Sequence, residues 1–217
     1  MINLLFIHGF AATPKIWDLQ IKEFSKDFTV LTNSDDIEPE NDTVVIGWSL
    51  GGIAAIDFYF NHKESVKALV LVSSFPKFLK SEDYKEGLSP ALLRNLEKKL
   101  DVNIHSGLKF FYELVFPDKN MHHLFRGMPT PGRDNIFSQI HQLRTIDIRS
   151  RLSEIEVPTL LIHGDCDQIV PLKSAEYMRQ NIISSELYIF EGVGHAPFLE
   201  RAKYFNSCLR DFIKHNA

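Results

Sequence analysis

The chain has 217 residues, 44% hydrophobic and 24% charged, an ordinary composition for one globular domain with an insertion. Its formal net charge of −4 gives no overall basic character, which disfavours nucleic acid as a partner. The apolar runs are about as long as strands and fall short of the roughly 20 residues that cross a bilayer. Cys166 and Cys208 form neither a disulfide framework nor a metal-binding spacing. We expect a cytoplasmic monomer without membrane attachment, metal or cofactor.

Short apolar runs alternate with amphipathic stretches in the first third of the chain. Asn3–Ile7 predicts a strand that is buried on both faces. Thr13 followed by Pro14 is typical of a helix N-terminus, and the apolar face of that helix extends to Phe24. Further strands are predicted at Thr29–Thr32, Thr43–Trp48 and Val66–Ser73, with a helix at Ile53–Phe60.

The pattern changes between residues 76 and 150, where the sequence is helical and irregular and contains no run typical of a buried strand. Beyond it, strands are predicted at Pro158–His163 and Glu186–Phe190, with helices at Leu172–Asn181 and Phe198–Ile213. Strands that alternate with helices form a parallel sheet covered on both faces. We therefore predict an α/β fold with a mostly parallel sheet of about six strands flanked by helices. Residues 1–75 and 151–217 form its core, and residues 76–150 form an inserted helical cap.

Gly47-Trp48-Ser49-Leu50-Gly51 fits the pattern G-x-S-x-G. The bare pattern arises by chance in roughly one chain in fifteen of this length. Here it stands between a predicted strand and a predicted helix, where a sharp turn exposes the serine hydroxyl at the end of the sheet. This context, more than the pattern, predicts that Ser49 is a nucleophile.

A serine hydroxyl is a poor nucleophile unless a base lies within hydrogen-bond reach. Among the nine histidines, His195 lies in a glycine-rich loop directly after the last predicted strand. Asp165 and Asp167 both follow the preceding strand, and the chain order Ser, Asp, His is one that α/β enzymes use. We favour Asp167 as the group that orients His195, because Gly164-Asp165 is typical of a turn.

An oxyanion is stabilised by two backbone N–H groups. We expect one from Leu50, which follows the nucleophile, and one from Phe10, which follows the first strand. Gly9 lets the backbone turn inward there, and the Phe10 ring would form a wall of the pocket. The seventeen phenylalanines of the chain are enough to supply both a core and such a pocket.

Four motifs together resemble the α/β-hydrolase superfamily over essentially the whole chain: His8-Gly9-Phe10, Gly47–Gly52 (GWSLGG), His163–Pro171 (HGDCDQIVP) and Gly194–Phe198 (GHAPF). Within it the chain looks most like the carboxylesterases of biotin synthesis, which Ser73-Ser74 and Asp147-Ile148-Arg149 also resemble. The resemblance implies hydrolysis of a methyl ester on a carrier-bound pimeloyl chain, with release of methanol. It also implies substrate contacts from Phe10, Leu50 and the segment Phe110–Leu114. The full set of expected contacts is Phe10, Trp48, Phe75, Phe110, Phe111 and Leu114.

Two departures from the family pattern leave the natural acyl chain open. The chain starts at what would be the third strand, and Asn33-Ser34-Asp35-Asp36-Ile37 replaces an acidic, glycine-containing loop. The same machinery also serves thioesterases, C–C bond hydrolases and broad carboxylesterases, and a ligand-binding protein without activity is a further alternative. A haloalkane dehalogenase is disfavoured, because that chemistry needs a carboxylate where this chain has Ser49.

Positive charge is concentrated in residues 76–150, with twelve Lys or Arg against nine Asp or Glu, a net of +3 in an acidic chain. These residues can face an acidic acyl-carrier protein or form an ordinary solvated helical surface. The substrate is accordingly expected to be a small or carrier-bound acyl ester. The cationic side chains proposed for this face are Arg94, Lys98, Lys99, Lys109, Lys119, Arg126 and Arg133.

Overall fold

The computed structural model of the chain describes residues 2–32, 42–116, 118, 120–122 and 129–217. Its strands are β1 (Asn3–Ile7), β2 (Thr29–Thr32), β3 (Thr43–Trp48), β4 (Val66–Val72), β5 (Thr159–Gly164) and β6 (Ser185–Phe190). Its α-helices are α1 (Asp18–Phe24), α2 (Leu50–Asn61), α3 (Pro90–Val102), α4 (Ile104–Val115), α5 (Arg133–Thr145), α6 (Leu172–Asn181), α7 (Pro197–Glu200) and α8 (Ala202–Asn216).

The six strands form one sheet in the order β2-β1-β3-β4-β5-β6, and every neighbouring pair is parallel. The predicted α/β fold is confirmed. Gly47 at the end of β3 is level with Ile7 at the end of β1, and Trp48 is level with Val72 at the end of β4. Because all strands run in one direction, the loops that follow them meet at a single edge of the sheet.

The apolar runs of the sequence form the central strands, which are buried because helices pack against that part of the sheet. Every residue of β1, β3 and β5 is buried, and in β4 only Lys67 is partly exposed. Full burial of one Val, Leu or Ile side chain contributes about 1.5–3 kcal/mol, so these strands supply much of the core. The edge strands β2 and β6 are partly exposed.

Three helix boundaries differ from the predictions. The first helix opens with a 3-10 turn at Pro14–Trp17, and the Thr13 hydroxyl caps nothing. Helix α2 begins at Leu50, three residues earlier than expected, directly after the turn at Ser49. The helix expected over Phe198–Ile213 is two helices, α7 and α8, separated at Arg201 (φ −131°, ψ 46°). This break directs the Phe198 ring against Trp17, with ring centroids 4.0 Å apart, while α8 packs along the sheet.

Helices α3, α4 and α5 lie between β4 and β5 in the chain, within the predicted cap. The segment leaves and rejoins the core at one place, where Ile148 N–H donates to Pro76 O at 2.8 Å. Beside this crossing Arg149 pairs with Asp147 at 2.7 Å and with Asp83 at 2.6 Å. In the described part of the chain, no helix has the length and apolar character needed to cross a membrane.

Candidate active site

Ser49 occupies the sharp turn between β3 and α2 in the left-handed half of conformational space (φ 57°, ψ −121°). Its N–H donates to Val72 O at 2.8 Å, and Ser74 Oγ donates to its carbonyl oxygen at 3.0 Å. Gly51 permits the turn, since a Cβ there would lie 2.5 Å from the carbonyl oxygens of Ile7 and His8. A strained residue that its neighbours hold in place on both sides is typical of a functional site.

Asp167 and His195 form a buried pair, with Nδ1 of His195 2.7 Å from Oδ2 of Asp167. Neither side chain is exposed to solvent. The other carboxylate oxygen, Oδ1, accepts the backbone N–H groups of Ile169 at 2.8 Å and Val170 at 2.9 Å. Burial alone would raise the pKa of Asp167, but His195 and His163 outweigh it and hold that pKa below its ordinary value. Asp167 is therefore an ionised acceptor for the His195 ring.

Asp165, the alternative carboxylate, has a different role in the same loop. It is exposed, and its Oδ1 accepts the Gly192 N–H at 2.7 Å. This bond ties the loop after β5 to the loop after β6. Of the two carboxylates that the sequence offered, the structure brings Asp167 into contact with His195.

The backbone of His195 is held by groups from three parts of the fold. Its N–H donates to the carbonyl oxygen of Val115 at the end of α4, at 2.8 Å. Its carbonyl oxygen accepts the indole N–H of Trp48 at 2.7 Å, which places the histidine against the residue that precedes Ser49. Glu200 accepts the N–H of the preceding Gly194 at 2.9 Å.

The ring nitrogen of His195 that faces away from Asp167 is buried and has no hydrogen-bond partner among the described residues. When Nδ1 donates to Asp167, the neutral ring carries its lone pair on this atom, Nε2. A buried, unpaired acceptor is costly and is seldom left so without a function. The pair is therefore poised to accept a proton at Nε2.

The loop after β1 lies directly against the Ser49 turn. A Cβ on Gly9 would be 2.8 Å from Trp48 O and 3.0 Å from Ser49 Cβ, so only glycine allows this approach. Phe10, the next residue, is buried. Leu50 is the first residue of α2, so its N–H has no acceptor within the helix. The two residues expected to bind the oxyanion thus flank the same turn.

The six expected substrate contacts fall into two groups. Phe111 and Leu114 of α4 line a small apolar cavity of about 20 Å³ beneath the cap helices. The Phe10 ring meets the Phe111 ring edge-on, with centroids 4.9 Å apart. Trp48 and Phe75 are buried beside the sheet, and Phe110 lies under the ammonium group of Lys99. Of the six expected contacts, the structure therefore places Phe111 and Leu114 in the cavity lining. Phe10 reaches it only through its ring contact with Phe111, and Trp48, Phe75 and Phe110 lie outside the lining.

The basic residues of the cap are only partly paired. Arg94 and Lys98 are exposed on one face of α3, whereas Arg133 pairs with Asp101 at 3.2 Å and Lys109 with Glu113 at 3.9 Å. Lys119 and Arg126 lie outside the described residues. Among those that the structure describes, no group of three His, Cys, Asp or Glu side chains is arranged to hold a metal ion.

Two side chains that touch this site, His163 and Glu200, were not predicted from the sequence. His163 Nε2 lies 3.3 Å from Oδ2 of Asp167 and hydrogen-bonds the carbonyl oxygen of Val170 at 2.8 Å. Its position four residues before Asp167, at the end of β5, was a usable signal. Glu200 contacts the loop of His195 from five residues downstream, and nothing in the pattern of α7 indicated this contact.

Comparison with known proteins agrees with the fold and the motifs. The α/β hydrolase fold family matches residues 39–202. The pimeloyl-[acyl-carrier protein] methyl ester esterase of Wigglesworthia glossinidia brevipalpis is 29% identical, over 98% of this chain and 94% of its own. The enzyme of the same name from Neisseria meningitidis serogroup C is 30% identical, over 88% of this chain and 78% of its own.

Solved structures show the same architecture. An esterase from Exiguobacterium antarcticum superposes with a TM-score of 0.85 at 24% identity, covering 99% of this chain and 92% of its own. A bromoperoxidase from Bacillus anthracis gives a TM-score of 0.84 at 21% identity, over 98% and 91% of the two chains. The resemblance inferred from the four motifs is confirmed. The chain belongs to the α/β hydrolase fold family and, within it, to the family of pimeloyl-[acyl-carrier protein] methyl ester esterases.

Proposed function

We propose that this protein is a serine carboxylesterase that forms an acyl-enzyme on Ser49 and hydrolyses the methyl ester of a carrier-bound pimeloyl chain in biotin synthesis. The proposal depends chiefly on the buried Asp167–His195 pair, in which His195 Nε2 has no hydrogen-bond partner among the described residues. Trp48, which precedes Ser49, holds the His195 loop beside the Ser49 turn through its indole N–H. Family membership supports the substrate, because relatives named for this activity match most of the chain.

In the first step His195 Nε2 accepts the proton of the Ser49 hydroxyl, and the serine oxygen attacks the ester carbonyl. The backbone N–H groups of Phe10 and Leu50 stabilise the resulting oxyanion. Asp167 stays ionised and stabilises the imidazolium that forms. The imidazolium returns its proton to the leaving methoxide, so methanol departs and Ser49 carries the acyl group.

In the second step a water molecule takes the place of methanol. His195 removes a proton from the water, and the hydroxide attacks the acyl carbonyl at the same oxyanion site. The protonated ring then returns its proton to the serine oxygen as the carbon–oxygen bond breaks. The free carboxylic acid leaves, and the enzyme returns to its starting state.

The cavity beneath the cap supports an apolar acyl chain as the substrate. It lies between the loop after β1, through the contact of Phe111 with Phe10, and the loop of Asp167, through Ile169. Its lining is wholly aliphatic or phenylalanine, which suits methylene groups and offers no partner for a charge. Because about 20 Å³ holds less than an acyl chain, cap side chains move aside when the substrate enters.

The exposed cations of the cap support a carrier-bound substrate. Arg94 and Lys98, one turn apart on α3, present two positive charges without a carboxylate partner among the described residues. An acidic carrier protein would be attracted to such a face.

The two free cysteines are compatible with a reducing compartment, and we place the enzyme in the cytoplasm as a monomer.

The decisive experiment measures methanol release by the purified protein from two methyl esters of pimelate. One ester is attached to acyl-carrier protein, and the other is small and carrier-free. We expect methanol release from both, with kcat/KM at least tenfold higher for the carrier-bound ester. Ser49→Ala should abolish both activities. An Arg94→Glu, Lys98→Glu double variant should reduce only the preference for the carrier-bound form.

The alternatives give different results in the same assay. A broad carboxylesterase would show equal kcat/KM for the two esters, and a thioesterase would cleave the carrier thioester and release pimelate monomethyl ester. A ligand-binding protein would release neither product. Growth of a biotin auxotroph that lacks the esterase, when this chain is supplied, tests the cellular role.

A further inference from the structure

Two side chains outside the proposed triad contact the backbone around His195. The indole N–H of Trp48 donates to the His195 carbonyl oxygen, and Oε1 of Glu200 accepts the Gly194 N–H. Both bonds are short, at 2.7 and 2.9 Å. The two side chains belong to different elements, β3 and α7, so the loop is attached to two parts of the fold.

Trp48 is 1% exposed, so a substrate has little access to its ring. The ring packs at 5.4 Å from the His195 imidazole and at 5.2 Å from Phe198. The carbonyl oxygen that it serves is itself buried, and leaving a buried acceptor without a donor is costly. The Trp48 side chain thus connects the Ser49 turn to His195, the proposed base.

The backbone of Ala196, on the other side of the histidine, also stabilises the Glu200 carboxylate and lowers its pKa. The carboxylate therefore interacts with both residues that flank His195 in sequence. Burial, with a smaller contribution from nearby Asp167, raises the pKa of Glu200 to about 7. A helix of four residues, α7, keeps a partly buried acid here although burial disfavours its charge.

We propose that Trp48 and Glu200 are positioning residues, which hold the loop Gly194–Ala196 so that His195 can bring Nε2 to the Ser49 hydroxyl during turnover. The proposal rests on His195 acting as the base. It assigns to Trp48 a role in orienting the catalytic histidine in place of the direct substrate contact expected from the sequence. Small displacements of a catalytic group cost large factors in rate, so loosening the loop lowers kcat.

Trp48→Phe tests the first half, because it keeps a ring and removes the N–H. We expect kcat to fall by about tenfold with KM changed less than twofold, since both chemical steps use His195. The matched control is Trp17→Phe. Trp17 is equally buried and its indole N–H has no partner among the described residues, so this variant should keep kcat within about twofold of wild type, a change of under about 0.4 kcal/mol.

Glu200→Ala and Glu200→Gln test the second half. The alanine variant loses the acceptor for the Gly194 N–H and should lower kcat by about tenfold. The glutamine variant keeps a carbonyl acceptor and should stay within about threefold. Glu191→Gln, at an exposed position in the same loop, is the control for a change of charge. Thermal unfolding of each variant shows that the measured enzyme is folded.

The results separate this inference from the proposed function. A rise in KM at constant kcat in Trp48→Phe would indicate that Trp48 contacts the substrate. Equal kcat of wild type and the two Glu200 variants would show that Glu200 does not position His195. Either outcome overturns the positioning role while Ser49→Ala remains inactive. Activity in Ser49→Ala would instead overturn the proposed function. If Trp48→Phe does not fold, the two Glu200 variants decide.

Discussion

The core and the cap bury their apolar residues in different ways. In β1, β3 and β5 every residue is buried, so the sequence shows continuous apolar runs. Helix α3 of the cap fully buries only one stripe, formed by Leu93, Leu96 and Leu100, and its other residues are half-buried or exposed. The core therefore tolerates few changes, and it holds the groups that we propose carry out the chemistry. The cap packs one apolar face against the proposed acyl cavity and exposes the other face to solvent.

The largest expected effect concerns the core chemistry and contrasts two neighbouring carboxylates. Asp167→Asn should lower kcat on the order of 10⁴-fold for every ester, because the amide cannot stabilise the imidazolium and favours the wrong tautomer of His195. Asp165→Asn, the matched control, keeps an acceptor for Gly192 N–H and should change kcat less than about twofold. Steady-state kinetics on a p-nitrophenyl ester measure both, and a larger loss in Asp165→Asn would reverse the assignment.

A second comparison sets a core glycine against a cap glycine. Gly51→Ala would place a Cβ 2.5 Å from two carbonyl oxygens of the loop after β1, so we expect a loss of several kcal/mol or no folded protein. Gly132 precedes α5 with open space around it, and Gly132→Ser adds a capping side chain. That variant should gain about 0.5–1 kcal/mol. Urea unfolding measures both; equal stability of the two variants would contradict the contrast between core and cap.

A third effect concerns selectivity. Phe111→Ala removes one wall of the apolar cavity and its ring contact with Phe10. We expect kcat/KM for esters with acyl chains of about seven carbons to fall on the order of tenfold, with acetate esters changed much less. A uniform loss across chain lengths would show that Phe111 supports the fold and does not select the acyl chain.

The smallest effect is the pH dependence of stability, which has opposite signs at two carboxylates. Burial raises the pKa of Glu200 from 4.5 to about 7, so its contribution to stability is full below pH 4.5 and is lost as the pH rises through 7. The hydrogen bond from Arg149 lowers the pKa of Asp147 at the base of the cap, so its contribution is present above pH 3.8 and is lost as the pH falls.

Melting temperatures against pH check both signs. Glu200→Gln should become more stable relative to wild type between pH 5 and 8. Asp147→Asn should be less stable than wild type at pH 7, and the difference should shrink as the pH falls below 3.8. The same sign for both variants would contradict the account of the two environments.

The sequence predicted the core strands to within one or two residues, because burial on both faces leaves an unmistakable run such as Val66–Val72. It did not predict the break at Arg201, since Phe198 and Phe205 continue a helical pattern across it. The residues proposed as nucleophile, base and orienting carboxylate follow strand ends, and sequence motifs indicated all three. Glu200 and the carbonyl oxygen of Val115 were not, because only the folded chain brings a short helix and the end of α4 to His195.

In the proposed mechanism Ser49 carries the acyl group during turnover. The most direct test treats the protein with a fluorophosphonate and locates the adduct by mass spectrometry of its peptides. We expect one adduct, on Ser49, with complete loss of esterase activity as it forms. Neither Ser49→Ala nor unfolded protein should be labelled. Labelling at another residue, or ester hydrolysis that persists with Ser49 fully modified, would contradict it.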